Sequence, residues 1–225
     1  ADLPVKTLPD LITYARANPG KLNYASSGNG SLQHVTGAML EQQGAIKMVH
    51  VPYKGTGPAL QDLLGGQVDL TFGTAPPYMP HIQSGKLRVL AVTGKQRSPQ
   101  LKDVPTMEEV GFKGFDAMQW YGVVGPAGMP PDIVRRLNET QIAVLKAPEL
   151  AEKLSGEAVE PWPMTPDQFG QYIKADVARW TALAKARNIR LDDGDRLIYP
   201  LRVDEVEVLG AVAESCRLTN QPLQE

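Results

Sequence analysis

What most constrains this chain is an alternation that runs from residue 7 to about residue 125. Short apolar stretches are each followed by a segment of helical periodicity, and glycine or proline closes each unit. Thr7-Leu8-Pro9-Asp10 reads as a helix start, with Thr7 as cap, Pro9 in the first turn and an acid near the positive helix end. The helix stops at Asn18-Pro19-Gly20. Leu22 to Ala25 follows as a strand, Ser31 to Gln43 as a helix ended by Gly44, and Met48 to Val51 as a second strand. Pro58 to Leu64 then reads as a helix, Val68 to Phe72 as a strand, Pro76 to Ser84 as a helix and Arg88 to Val92 as a strand. The strands are apolar without strict alternation, as expected where helices cover both faces of a sheet. The pattern predicts a doubly wound α/β domain with a mostly parallel sheet.

Organisation changes near residue 120. Thr106-Met107-Glu108-Glu109 offers a capping box for a short helix, and Met118 to Val124 reads as a long strand. After Gly125-Pro126-Ala127-Gly128-Met129-Pro130-Pro131 the pattern is mainly helical: one helix from about Pro131 to Lys146, a short one after Pro148, and a long one opened by the capping box Thr165-Pro166-Asp167-Gln168. The long helix carries an apolar face of Phe169, Tyr172, Ile173, Val177, Trp180 and Leu183. In the tail, Leu197-Ile198-Tyr199 and Val206 to Val212 read as a strand and a helix.

Bulk properties exclude several classes. With Lys+Arg 23 against Asp+Glu 25, the chain has no basic stripe with which to hold nucleic acid. A single cysteine, Cys216, forbids both an intrachain disulfide and a thiolate metal cage. No apolar run approaches the roughly 20 residues that span a bilayer. Ala1 opens directly into Asp2-Leu3-Pro4 without an initiating Met, so a processed or truncated chain is expected.

Chemistry concentrates in three strand-to-helix loops. Asn23-Tyr24-Ala25-Ser26-Ser27-Gly28-Asn29-Gly30-Ser31 combines glycines, which let the backbone approach a ligand, with a helix start whose free N–H groups favour an anion. Ser26, Ser27 and Ser31 add hydroxyl donors. A structural reading, with the glycines turning the chain and Ser31 capping the helix, stands level with the functional one. The loop lacks the lysine of a P-loop and does not fit the dinucleotide fingerprint. Val51 to Pro58 is a second loop on the same edge, with Tyr53 or Lys54 as candidate contacts, and Phe72-Gly73-Thr74-Ala75-Pro76-Pro77 a third, with Thr74 its side-chain hydrogen-bonding candidate. His34, in the first turn after the glycine loop, either faces a ligand or packs.

Catalytic sets are missing from the pattern. His34, His50 and His81 are not spaced as a metal pair, and neither G-x-S-x-G nor H-E-x-x-H occurs. Glu108-Glu109 reads as a helix start, Trp120-Tyr121 as a packed crossover that can also line a cleft, and Asp192-Asp193-Gly194-Asp195 as a solvated turn. Neither a catalytic role, nor a metal, nor a cofactor is expected.

Taken in order, several motifs carry a resemblance. They are Leu22 to Ser31, His50-Val51-Pro52-Tyr53-Lys54-Gly55, Leu63-Leu64-Gly65-Gly66-Gln67-Val68-Asp69, Gly85 to Thr93, Gly125-Pro126-Ala127-Gly128 with Pro130-Pro131, and the Thr165-Pro166 helix start. Over about residues 2 to 192 the chain resembles the Bug-type extracytoplasmic receptors of tripartite tricarboxylate transporters. The resemblance implies a type II periplasmic-binding-protein-like α/β fold, with two lobes of mostly parallel sheet around a cleft. Residues 3–116 would form the second lobe, 117–192 the C-terminal part of the first, and 193–225 would be a tail outside the match. The first lobe would be incomplete, because the family's opening strand-loop-helix is not in this sequence, and strand edges and apolar helix faces would be exposed.

By the same resemblance the protein would be no enzyme but a periplasmic receptor. It would close on a small carboxylate or amino acid, deliver it to membrane transporter subunits, and act as a monomer when complete. Ser27, Gly28, Asn29, Gly30 and Ser31 match the family's second carboxylate-holding loop. Thr74 falls in the loop that helps choose the ligand's distal end, and Ser26, His34 and Tyr53 are further candidates. Gly73-Thr74 stands where an acidic Asp-Asn pair is common, which favours a simple carboxylate over an amino acid. The alternative reading is a cytoplasmic effector-binding domain of a regulator with the same fold.

Overall fold

A computed structural model describes residues 3–156, 159–189, 206–214 and 216–220. Helix α1 (Leu8–Ala17) starts as its sequence dictates: the Thr7 hydroxyl accepts from the Asp10 N–H, and the Asp10 carboxylate accepts from the Thr7 N–H at 2.9 Å. There follow β1 (Asn23–Ser26), α2 (Leu32–Gly44), β2 (Val49–Pro52), α3 (Thr56–Leu64), β3 (Leu70–Thr74), α4 (Ala75–Gln83) and β4 (Arg88–Val92). Strand β1 pairs in parallel with β2 and β3, with Tyr24 opposite both His50 and Leu70.

Alternating side chains of β1 serve opposite faces of this sheet. Tyr24 joins a core with Leu8, Leu11 and Ile12 of α1, Val35 and Leu40 of α2, and Phe72. Ala25 packs with Ala59 and Leu63 of α3 and Tyr78 of α4. Helices therefore cover both faces, which is why the strands tolerate apolar residues at consecutive positions.

After β4 the chain passes through a turn rather than the expected short helix. The Thr106–Glu109 capping box forms, with the Glu109 carboxylate accepting from the Thr106 N–H at 2.7 Å. Thr106 is also bridged to Val92, the Arg97 guanidinium takes the same carboxylate at 2.9 Å, and Gly111 turns the chain at φ +98°. These ties hold the segment as a turn. Then come β5 (Gln119–Pro126), α5 (Pro131–Leu145), α6 (Pro148–Gly156), β6 (Val159–Glu160) and α7 (Pro166–Ala186).

The tail corrects one expectation. Val206 to Val212 is not helical but lies in strand β7 (Val206–Glu214), and β8 (Cys216–Asn220) comes almost at once after it. Valines at 206, 208 and 212 suit a pleated ladder, and β5 offers an edge to pair with. Leu197–Tyr199 and Asp192–Asp195 lie outside the described residues. The strand orders are β2-β1-β3-β8-β4 in one sheet and β5-β7-β6 in the other, and β8 runs antiparallel to both of its neighbours.

Helix α7 ties the two sheets together. At 21 residues it is about 30 Å long. Near its start, Phe169 and Ile173 pack with Trp120 of β5. Near its end, Trp180 enters the core of the five-stranded sheet, and Arg187 pairs with Glu41 of α2 at 2.9 Å.

Candidate ligand-binding site

A cavity of about 680 Å³ lies where the carboxyl ends of β1 and β3 face the start of β5 and the side of α7. The three loops singled out in the sequence all reach it: Ser27 and Ser31 from the first, Thr56 from the second and Thr74 from the third. The starts of α2, α3 and α4 therefore converge on one space, and their partial positive charges favour an anion there. None of its lining side chains is charged.

Donors are available at the start of α2. The Ser31 hydroxyl caps the helix by accepting from the His34 N–H, and the Ser31 N–H donates to the Gly28 carbonyl. The N–H groups of Leu32 and Gln33, both at the cavity, have no partner among the described residues. Thr74 occupies the cap position of α4 without capping it, so its hydroxyl is not spent on the helix.

The glycine loop is held from behind, and here several sequence candidates find their place. Ser26 is fully buried. Its hydroxyl donates to the Gly28 carbonyl at 3.0 Å, accepts from the Gly28 N–H, and meets His50 Nε2 at 2.6 Å. His34 turns back to the loop, its Nδ1 accepting from the Gly30 N–H at 3.1 Å. That bond requires an unprotonated Nδ1. His34 stacks on His50 with ring centroids 3.8 Å apart, and His50 on Tyr24 at 5.0 Å. Desolvation lowers the pKa of both histidines, that of His50 to about 4 with help from His34. The Tyr53 hydroxyl donates to Asp62 at 2.7 Å, and its N–H joins the two loops by donating to the Ser26 carbonyl.

Ser27, Ser31 and Thr74 thus line the cavity, Gly28, Asn29 and Gly30 shape the loop beside it, and Ser26, His34 and Tyr53 buttress the loop. The glycines are needed for conformation: φ is +144° at Gly28 and +72° at Gly30. Gly73 is needed for space, since a Cβ there would stand 2.4 Å from the Tyr78 ring.

Sequence reasoning missed Gln33, Thr56 and Trp180. Gln33 lines the cavity and accepts from the Ser27 N–H at 2.8 Å through its side chain. Trp180 sits on a stripe that reads as core, and nothing in its spacing separates it from the packing residues beside it. Trp120 and Tyr121 line the cavity too. Among the described residues no group of three or more His, Cys, Asp or Glu side chains is placed to share a metal ion, and no helix is long and apolar enough to cross a membrane.

Comparison with known proteins adds to this geometry. Residues 1–189 match the model of the tripartite tricarboxylate transporter family receptor. A UPF0065 protein of Pseudomonas sp. (strain P51) is 35% identical over 184 residues, covering 81% of this chain and 55% of that protein. Protein BugT of Bordetella pertussis is 33% identical over 189 residues, covering 84% and 58%. Among solved structures, R. palustris Rpa4515 with adipate is similar at TM-score 0.77 and 36% identity, covering 84% of this chain and 63% of that one. MatC from Rhodopseudomonas palustris with bound malate is similar at 0.66 and 28%, covering 80% and 63%. The chain spans a little over half the length of the curated relatives it matches.

Proposed function

The chain belongs to the tripartite tricarboxylate transporter receptor family, and from that premise we propose that it is a periplasmic solute-binding protein that captures a small carboxylate for a membrane transporter. The observation that carries this reading is the cavity itself: three helix starts and several uncharged donors converge on it, with no charged side chain in the wall. One carboxylate end of the cargo sits at the start of α2, against the Leu32 and Gln33 N–H groups and the hydroxyls of Ser27 and Ser31. Thr74 meets the cargo farther along. Gly28, Asn29 and Gly30 give the loop its close approach, while Ser26, His34 and Tyr53 keep it in shape.

An amino acid fits less well. Its ammonium group would need an acceptor, and no carboxylate lines the wall; at position 73 an acidic side chain would collide with Tyr78. The adipate and malate held by two similar structures support a carboxylate cargo. Capture works by closure. Residues 3–116 move as one lobe and 117–192 belong to the other, and a cargo that touches both stabilises the closed state by its differential affinity.

A thermal-shift panel tests the reading, with C4 to C8 mono- and dicarboxylates set against their amides. At hundredfold excess over Kd a ligand adds about 2.7 kcal/mol, or about 5–11 °C for a chain of this size. The acids should raise Tm and the amides should not, and Ser27→Ala should reduce the shift. Equal response to acids and amides, or none to either, overturns it.

A further inference from the structure

Two tryptophans line the cavity, and they differ in one respect. Trp120 donates its indole N–H to the Asp176 carboxylate at 3.1 Å, and Asp176 is itself buried and paired with Arg179. Trp180, one helical turn after Asp176 on α7, is 5% exposed, and its Nε1–H has no hydrogen-bond partner among the described residues. A buried donor without an acceptor is costly and uncommon in a folded chain. Asp176, the acceptor within reach of that turn, is already engaged by Trp120 and Arg179.

The other donors on this wall are committed. The Gln119 side-chain amide donates to the Tyr121 hydroxyl at 2.8 Å, and Trp120 is tied as described. Trp180 also differs electronically. The Arg179 guanidinium carbon lies 4.5 Å from the centre of its ring, and a cation over an aromatic face draws charge from the ring, leaving the N–H a stronger donor. Arg179 is not itself a cavity residue, so its charge acts through the indole.

We propose that the Trp180 indole N–H is a specificity-determining donor that receives the second polar end of the cargo, so that the site selects acids carrying a further acceptor, a carboxylate or carbonyl oxygen, beyond the first carboxylate. An indole N–H donates and cannot accept. It therefore rewards an oxygen, gives nothing to a methyl terminus, and opposes an ammonium. Bulk water does not reach the atom, so an analogue lacking the acceptor leaves the donor unsatisfied, the situation in which a site discriminates most strongly. The inference rests on the carboxylate reading above and adds the second point of recognition.

The experiment uses the full 225-residue chain and its Trp180→Phe variant. Phenylalanine keeps an aromatic ring in the core and removes the N–H. Calorimetry is run with succinate and butyrate, adipate and hexanoate, suberate and octanoate, with 6-aminohexanoate added at the middle length. Wild type should prefer one diacid over its matched monoacid. In Trp180→Phe that preference should fall about tenfold, through weaker diacid binding at unchanged monoacid affinity, while Tm without ligand stays the same or rises. The indole proton of Trp180, identified by its loss in the variant, should move downfield when wild type takes up the preferred diacid.

An unchanged diacid-to-monoacid ratio with the indole proton unmoved overturns the inference and leaves the carboxylate reading standing. A lower Tm with both acids weakened equally assigns Trp180 to packing and overturns it as well. Tighter binding of 6-aminohexanoate than of adipate does the same. Failure of wild type to bind any of the acids overturns both readings.

Discussion

The five-stranded sheet and the three-stranded sheet are assembled in opposite ways. In the first, β1, β2, β3 and β4 each arrive within a local strand-loop-helix unit, and the core closes between neighbours in sequence. In the second, β5, β7 and β6 come from segments starting at residues 119, 206 and 159, joined antiparallel over long separations. Burial tracks assembly. Leu11, Leu40, Leu70 and Phe72 are fully enclosed around the first sheet, whereas Tyr121 and Val123 of β5 and Ile133, Leu137 and Val144 of α5 stand out as exposed. The three α5 residues lie on one stripe of the helix, so the exposed apolar face expected from the sequence is present there. Locally wound βα units carry their own core; a sheet gathered from distant segments depends on what else is brought to it.

That dependence is tested most strongly by the tail. Strand β8 lies between β3 and β4, and β7 between β5 and β6, so both sheets use the same stretch of chain. Ending the chain at Ile189 should leave the facing edges of both sheets unpaired and abolish cooperative unfolding followed by circular dichroism. A sharp melt with native-like strand signal would show that the five-stranded sheet stands without its antiparallel member. Next in size is a matched pair of core substitutions. Leu70→Ala should cost about 2–5 kcal/mol, and Leu137→Ala, at an exposed position, no more than about 0.5 kcal/mol. Urea denaturation measures both, and equal losses would erase the contrast between the regions.

Legibility divides along the same line. Around β1 to β4 the boundaries can be read because each signal is local: a threonine cap, an Asn-Pro-Gly stop, a Gly-Gly stop, short β-branched runs. The three loops that reach the cavity are legible for the same reason, as strand-to-helix turns on one sheet edge. The short helix expected at Thr106 does not form although its capping box does. The box specifies only a start, while the bridge to Val92, the Arg97 pair and Gly111 set the path of the chain beyond it. Val206 to Val212 misleads because the choice between helix and strand is made there by the unpaired edge of β5, 80 residues away. In the site, Trp180 cannot be separated from core by pattern. What distinguishes it is an unmatched N–H, which appears only once its neighbours' bonds are placed.

A smaller effect is expected at Gly73, where the loop of the cavity meets the locally built core. A methyl group there would stand 2.4 Å from Tyr78, whose ring is packed among Ala59, Leu63 and Leu87. Gly73→Ala should therefore cost about 1–3 kcal/mol and disturb Thr74 beside it. Restored stability in the double variant with Tyr78→Leu would confirm that the ring is the obstacle, whereas a single variant as stable as wild type would show that the ring gives way freely.

The smallest effect is a pH dependence that belongs to the locally wound region alone. His50 is held at a pKa of about 4, by burial first and by His34 second, against an ordinary value near 6.5, and burial lowers that of His34 in the same direction. As pH falls below about 6.5 the unfolded chain takes up protons that the folded chain refuses. Stability should therefore fall steadily from about pH 6.5 to pH 4 and then level for His50. The loop should loosen over the same range, because a proton on His34 Nδ1 removes the acceptor of the Gly30 N–H, and two stacked imidazolium rings repel. His50→Phe keeps a ring between Tyr24 and His34 but loses the bond to Ser26, so it should lower stability at pH 7 by about 1 kcal/mol while flattening the acid slope. Tm measured from pH 4 to pH 8 decides the matter. A slope unchanged by the substitution would move the acid sensitivity away from the histidine stack and leave the paired carboxylates, Asp176 among them, to account for it.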